Sequence, residues 1–152
     1  MGVLDSVLED HRLVGVDTPL FIYSLESHAR YGRLSDAVFT AIENGRYEAV
    51  TSVISLMEIT VLPLRLGQAD VVRAYQTYLE HFPNLAVVAV SRTTALLAAR
   101  MRASYRLRPA DALQLAACIG AGATAFITND LRLRQVQEVP VITLDTYLDS
   151  GL

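Results

Sequence analysis

The sequence predicts an α/β protein, a three-layer α/β/α sandwich built on a mainly parallel sheet of four or five strands. Three observations predict it. Short runs rich in valine and isoleucine, at Leu13–Val16, Ala49–Val53, Leu85–Val90, Ala125–Thr128 and Val139–Thr143, read as strands buried on both faces. Amphipathic helical stretches separate them, which is the pattern of βαβ units with helices on both sides of a sheet. The 152 residues are 52% hydrophobic, enough for one domain with a substantial core, with residues 1–12 as an N-terminal extension.

Taken in order, the first strand ends at Asp17, and Thr18–Pro19 marks a helix start because proline suits the first turn. The second strand leads into an apolar helix, Ser55–Leu66. Another, Gln68–His81, follows after little more than Gly67, with Val71, Val72, Tyr75, Tyr78 and Leu79 on one side. The two read as a helical hairpin that can offer a partner surface. Beyond the third strand, Arg92–Tyr105 sets Leu96, Leu97, Arg100 and Met101 at helical spacing. Pro109–Ile119 opens with proline and stops at Gly120 and Gly122. The fourth strand passes through Asn129 and Asp130 into a helical turn at Leu131–Gln135, and the fifth closes the sheet.

Composition narrows the function. The net charge of -3 argues against nucleic-acid binding through an overall positive field, so such binding needs local cations. All 13 basic residues are arginine. The missing lysine excludes a P-loop and any Schiff-base mechanism. No apolar run reaches the roughly 18 residues that cross a bilayer. Met1–Arg12 is too polar and acidic for a signal peptide, so no membrane association is expected. The single cysteine, Cys118, allows no intramolecular disulfide and indicates a reducing cytoplasm. In LQLAACIGAG it reads as a small buried hydrophobe. His11, His28 and His81 show neither ligand spacing nor acid–base pairing.

Four acids stand where a strand or loop gives way to a helix: Asp17, Glu58, Asp111 and Asp130. Each has a local explanation. Asp17 or Thr18 can cap the helix that follows. Ser55 to Glu58 matches a capping box, with Ser52 as a competing cap. Asp111 meets the positive end of a helix dipole, worth about 0.3–1 kcal/mol. Asn129 or Asp130 can cap the turn after the fourth strand. Asp145 repeats the strand-Asp-Thr pattern and reads as a cap only. The joint placement says more than any single acid. Open α/β sheets build sites at the carboxyl ends of their strands. Several carboxylates gathered there repel one another unless a cation neutralises them. A hard divalent metal suits such a cluster, and Thr128 adds a hydroxyl able to hold a ligand or a metal-bound water.

The segments VDTPLFIYSLE, SVISLMEITV, RPADALQLAACIGAGATAFITND and LRLRQVQEVPVITL resemble the PIN domain, in particular the VapC-type toxins of bacterial toxin–antitoxin pairs. The likeness runs from about Leu13 to Leu148, and PADALQLAACIGAGATAFITND is its specific part. It implies a PIN-like fold and a Mg²⁺- or Mn²⁺-dependent endoribonuclease. It assigns Asp17, Glu58, Asp111 and Asp130 as catalytic metal ligands, supported by Thr128 and Asn129. It further implies a homodimer inhibited by a small cognate antitoxin. Pro19 departs from the small polar residue that many members carry there, and Met1–Arg12 extends the usual start.

On this reading a metal-activated water cleaves the RNA phosphodiester without a covalent intermediate. Arg106, Arg108, Arg132 and Arg134 flank the acids and form a candidate phosphate-holding rim, though surface ion pairs explain them as well. Tyr23 and Tyr31 are candidates for base stacking, with core packing the better reading of Tyr23. A phosphatase of the haloacid-dehalogenase type needs an acid where Pro19 stands, and a receiver domain needs a lysine. The remaining alternatives are a non-catalytic PIN-like binding scaffold and a housekeeping RNA-processing nuclease without an antitoxin.

Overall fold

The computed structural model describes residues 2–150. Among them five strands, β1 (Leu13–Val16), β2 (Glu48–Ser52), β3 (Leu85–Val88), β4 (Ala125–Thr128) and β5 (Val141–Thr143), form one all-parallel sheet in the order β3-β2-β1-β4-β5. The helices are α1 (Val3–Glu9), α2 (Thr18–Leu25), α3 (Gly32–Glu43), α4 (Val53–Arg65), α5 (Ala69–His81), α6 (Arg92–Ser104) and α7 (Pro109–Gly120), with 3₁₀ turns at Leu131–Gln135 and Leu144–Tyr147.

Alternation along the strands divides the interior in two. Val14, Val16, Ala125 and Ile127 face one core with Leu20 and Phe21 of α2, Val38 and Ile42 of α3, and Leu79 of α5. Val50 and Phe126 face the other, with Ala98 and Met101 of α6 and Leu115 and Cys118 of α7. Period-2 side chains feeding two cores give the three-layer sandwich that the sequence predicts. Close approach is needed at Gly15: a Cβ there would lie 2.8 Å from the Phe126 ring and 2.9 Å from Cys118 Cβ. The absent side chain lets α7 settle on the middle strand.

Several boundaries differ from expectation. Val53 starts α4 instead of ending β2, because Ser52 Oγ accepts the Ile54 amide at 3.1 Å and caps the helix there. Ser55 is therefore inside α4, and the capping-box reading of Ser55–Glu58 is replaced. β3 and β5 are shorter than predicted, and β3 is only half-buried because it is an edge strand. On α6 the packed face is Leu97, Ala98 and Met101; Leu96, placed inward by spacing, is 60% exposed, and Arg100 faces solvent. Residues 3–9, inside the expected extension, form α1, which buries Leu4 and Leu8 in the first core. Asp145 is no cap: it sits inside the last 3₁₀ turn and accepts the Tyr31 hydroxyl at 2.7 Å.

The α4–α5 hairpin forms as predicted, turning at Gly67 with φ +67°. Its apolar character is not all buried. Met57, Val61, Leu62 and Leu64 are exposed along α4, as is Leu66 at its C-cap. Among the described residues no helix is long and apolar enough to cross a membrane.

Candidate active site

The strand order reverses direction between β1 and β4, so the crevice beyond their carboxyl ends is a topological switch point. Asp17 immediately follows β1 and Asp130 follows β4 by two residues. α4 leaves the rim directly after β2 and carries Glu58. α7 returns the chain to the start of β4, so its first turn, with Asp111, opens at the same rim.

Asp17 is the buried member, 6% exposed. It is the N-cap of α2, where its Oδ1 accepts the Thr18 amide at 2.9 Å. Its Oδ2 accepts the Thr128 hydroxyl at 2.7 Å. Capping and site membership are thus compatible, each using one oxygen. Burial pushes the Asp17 carboxyl up to about 6; the bonds from Thr128 and the Thr18 amide oppose this, while the charges of Asp111 and Glu58 add to it. The groups acting on Asp17 are two neutral donors and two negative charges, with no cation among them.

The other acids are held by different means. Glu58 Oε1 accepts the Thr18 hydroxyl at 2.8 Å. Asp111 Oδ2 accepts Arg108 Nε at 2.9 Å, and Arg108 reaches Asp130 Oδ2 at 3.7 Å. Asp130 caps the following 3₁₀ turn through the Arg132 amide and pairs with the Arg132 guanidinium through both oxygens, at 3.0 and 2.6 Å. That fork holds the Asp130 carboxyl below the usual carboxylate range. Among the described residues no three acidic, imidazole or thiol groups stand together as a ready-made metal cage.

The rim residues separate. Arg108 and Arg132 lie on the acids themselves. Arg134 turns away, donating to the hydroxyls of Thr143 at 2.6 Å and Thr146 at 2.8 Å, so it ties the end of β5. Arg106 is exposed. Asn129 bridges Tyr23 and the Asp145 amide, at 3.2 and 3.0 Å, a bracing contact beside the site. Tyr23 and Tyr31 stack on each other with centroids 5.0 Å apart. Cys118 is buried, its thiol pushed up by that burial, as expected of a packing residue.

Sequence reasoning missed a buried polar group beneath Thr18 and Glu58, made of Thr51, Ser52, Ser55 and Gln114. The signal was there to read: Gln114 interrupts the apolar face of LQLAAC, where a lone amide needs partners.

Fold and rim together define an acid-rimmed parallel α/β domain. The PIN-domain profile matches residues 14–139, and the chain belongs to the PIN-domain family. No curated protein matches the sequence. Solved structures share the fold at low identity. A toxin–antitoxin complex from Klebsiella pneumoniae is similar at 21% identity with a TM-score of 0.62, covering 86% of this chain and 97% of that one. FitAcB from Neisseria gonorrhoeae gives 16% and 0.65, with coverages of 86% and 97%. VapBC2 from Rickettsia felis, bound to a DNA fragment from its promoter, gives 14% and 0.63, with 86% and 98%.

Proposed function

We propose that this chain is a metal-dependent endoribonuclease of the VapC kind, the toxin of a type II toxin–antitoxin pair. The observation that carries this reading is Asp17: a buried carboxylate with only neutral donors, at the sheet's switch point and within the electrostatic reach of two further acids, Asp111 and Glu58. Such a group favours a cation arriving from outside. The donor set fits Mg²⁺ or Mn²⁺, which take one or two carboxylates and keep several waters, so a complete protein cage is not required. Asp17, Glu58, Asp111 and Asp130 are the proposed ligands. When bound, the metal supplies an acidified water and charge neutralisation at the scissile phosphate.

The remaining work falls to this chain's residues. Thr128 fixes one oxygen of Asp17 and the Thr18 amide the other, and each oxygen keeps a further lone pair able to bind a cation. Arg108 and Arg132, paired with the acids, can exchange their carboxylate partners for RNA phosphate, and the exposed Arg106 is a further proposed phosphate contact. The single-domain reading of residues 1–152 and a cytoplasmic location belong to the same proposal. The fold-level likeness to toxin–antitoxin complexes supports a small antitoxin as partner. So does the exposed apolar face of α4, beside a groove lined by Leu25, Ile59, Leu62, Leu66 and Tyr75. A homodimer is proposed from the family likeness.

Incubation with a pool of structured RNAs, with and without Mg²⁺ or Mn²⁺, tests the reading. Cleavage that EDTA abolishes is expected. Intact RNA at every metal concentration, with tight binding of a protein partner, would favour a non-catalytic scaffold.

A further inference from the structure

We propose that Gln114 is a positioning residue for Glu58, acting through the buried hydroxyls of Ser55 and Thr18. The proposal rests on the reading above only in that Glu58 belongs to the site.

Gln114 lies on α7 three residues after Asp111 and is 1% exposed. Its direction of hydrogen bonding can be read backward from the carboxylate. An ionised carboxylate only accepts, so the Thr18 hydrogen is committed to Glu58 Oε1. Thr18 Oγ1 must then accept from Ser55 Oγ, 2.9 Å away. Ser55, having given its hydrogen to Thr18, accepts the Gln114 amide at 2.7 Å and the Thr51 hydroxyl at 2.8 Å. The Gln114 oxygen accepts from Ser52, whose Oγ is itself anchored by the Ile54 amide. The amide therefore cannot flip without leaving Ser52 and Ser55 facing the wrong group. One ordered chain runs Ser52, Gln114, Ser55, Thr18, Glu58.

The chain matters because Glu58 is exposed, and among the described residues Thr18 is its one hydrogen-bond donor. Asp17 is held by two donors and Asp130 by an arginine fork. Glu58 instead depends on a hydroxyl whose lone pair is fixed from α7. The network also ties together the first two turns of α2, α4 and α7, the helices that carry or follow Asp17, Glu58 and Asp111.

The test measures Mn²⁺ affinity by calorimetry on the folded, metal-free protein, with Tm recorded alongside. It compares wild type, Glu58→Gln, Thr18→Val, Thr18→Ser, Gln114→Met and the Thr18→Val/Gln114→Met double variant. Groups that orient metal ligands typically change affinity by about 10- to 100-fold. Thr18→Val and Gln114→Met are each expected to weaken Mn²⁺ by roughly tenfold, toward the Glu58→Gln value. Thr18→Ser keeps wild-type affinity. The double variant weakens binding no further than the worse single one, because both cut the same chain. A merely structural Gln114 lowers Tm and leaves Mn²⁺ affinity unchanged, and that result overturns the proposal. Should Gln114→Met fail to fold, the Thr18→Val and Thr18→Ser pair decides alone. Should Glu58→Gln bind Mn²⁺ like wild type, the metal role of Glu58 falls, and crystal structures of Thr18→Val and Gln114→Met decide the relay. A displaced Glu58 carboxylate supports positioning; an unmoved one refutes it.

Discussion

Thr128 joins the two strand-end acids: its hydroxyl donates to Asp17 Oδ2 at 2.7 Å while its oxygen accepts the Asp130 amide at 3.1 Å. The hydroxyl hydrogen is directed at Asp17 because the Asp130 amide occupies the other side. This contact, with the smaller effect of the Thr18 amide, opposes the burial that raises the Asp17 carboxyl.

Asp17 sets a pH dependence of stability in the metal-free protein. Its folded pKa, about 6, exceeds the ordinary 3.8. The folded state therefore holds its proton more tightly than the unfolded chain does. The resulting stabilisation is full below about pH 4 and is lost as pH rises through about 6. Asp17→Asn cannot ionise yet still caps. In EDTA it should exceed wild type by about 2–3 kcal/mol at neutral pH, relative to the difference near pH 4. Urea unfolding across that range checks this; a pH-independent difference would contradict it.

Arg108 and Arg132 neutralise Asp111 and Asp130 in the metal-free protein. Arg108→Gln is expected to tighten Mn²⁺ binding severalfold, because the acids lose a competing cation. The same change should weaken RNA binding and reduce the salt slope of log K by about 0.7, the contribution of one phosphate contact on a single strand. Filter binding over a salt series measures it. An unchanged slope would place Arg108 outside the RNA path.

Gly15→Ala should destabilise the fold by about 1–3 kcal/mol through overpacking against Phe126 and Cys118. Pairing it with Cys118→Ala, which removes the sulfur and keeps the Cβ, should recover little, since the closest contacts are the Phe126 ring and Cys118 Cβ. Chemical denaturation of the two variants checks both statements.

If the proposed antitoxin partner exists, the exposed apolar face of α4 is its expected docking surface. Leu62→Asp, at a residue 54% exposed, should leave folding and RNA cleavage intact and abolish co-purification with the cognate antitoxin. Retained co-purification would move the interface elsewhere.

Much of this was legible in the sequence, for physical reasons. β1 and β4 appear at their predicted bounds because both are buried on two faces and are ended by polar residues. Val53 misled, since a β-branched residue continues a strand pattern until a cap such as Ser52 stops it. Leu96 misled because α6 packs through Ala98 and Met101, leaving the larger side chain outside. Asp17, Asp111 and Asp130 were visible as residues at element boundaries. Glu58, expected in the first turn of its helix, lies in the second turn of α4 because Ser52 starts that helix earlier. Their fine positions were not visible. The arginine partners of Asp111 and Asp130, the turning away of Arg134 and the Gln114 network all depend on side-chain directions set by packing between elements distant in the chain.

Asp17 is proposed to serve a metal-dependent cleavage and not a helix cap alone. Cleavage of structured RNA in Mg²⁺ or Mn²⁺, comparing wild type with Asp17→Asn, tests it most directly, because asparagine retains the cap and loses the charge. Wild type is expected to cut and EDTA to stop it, while the variant is folded, more stable at neutral pH without metal, and inactive. An Asp17→Asn protein that cuts RNA as fast as wild type would contradict that role of Asp17.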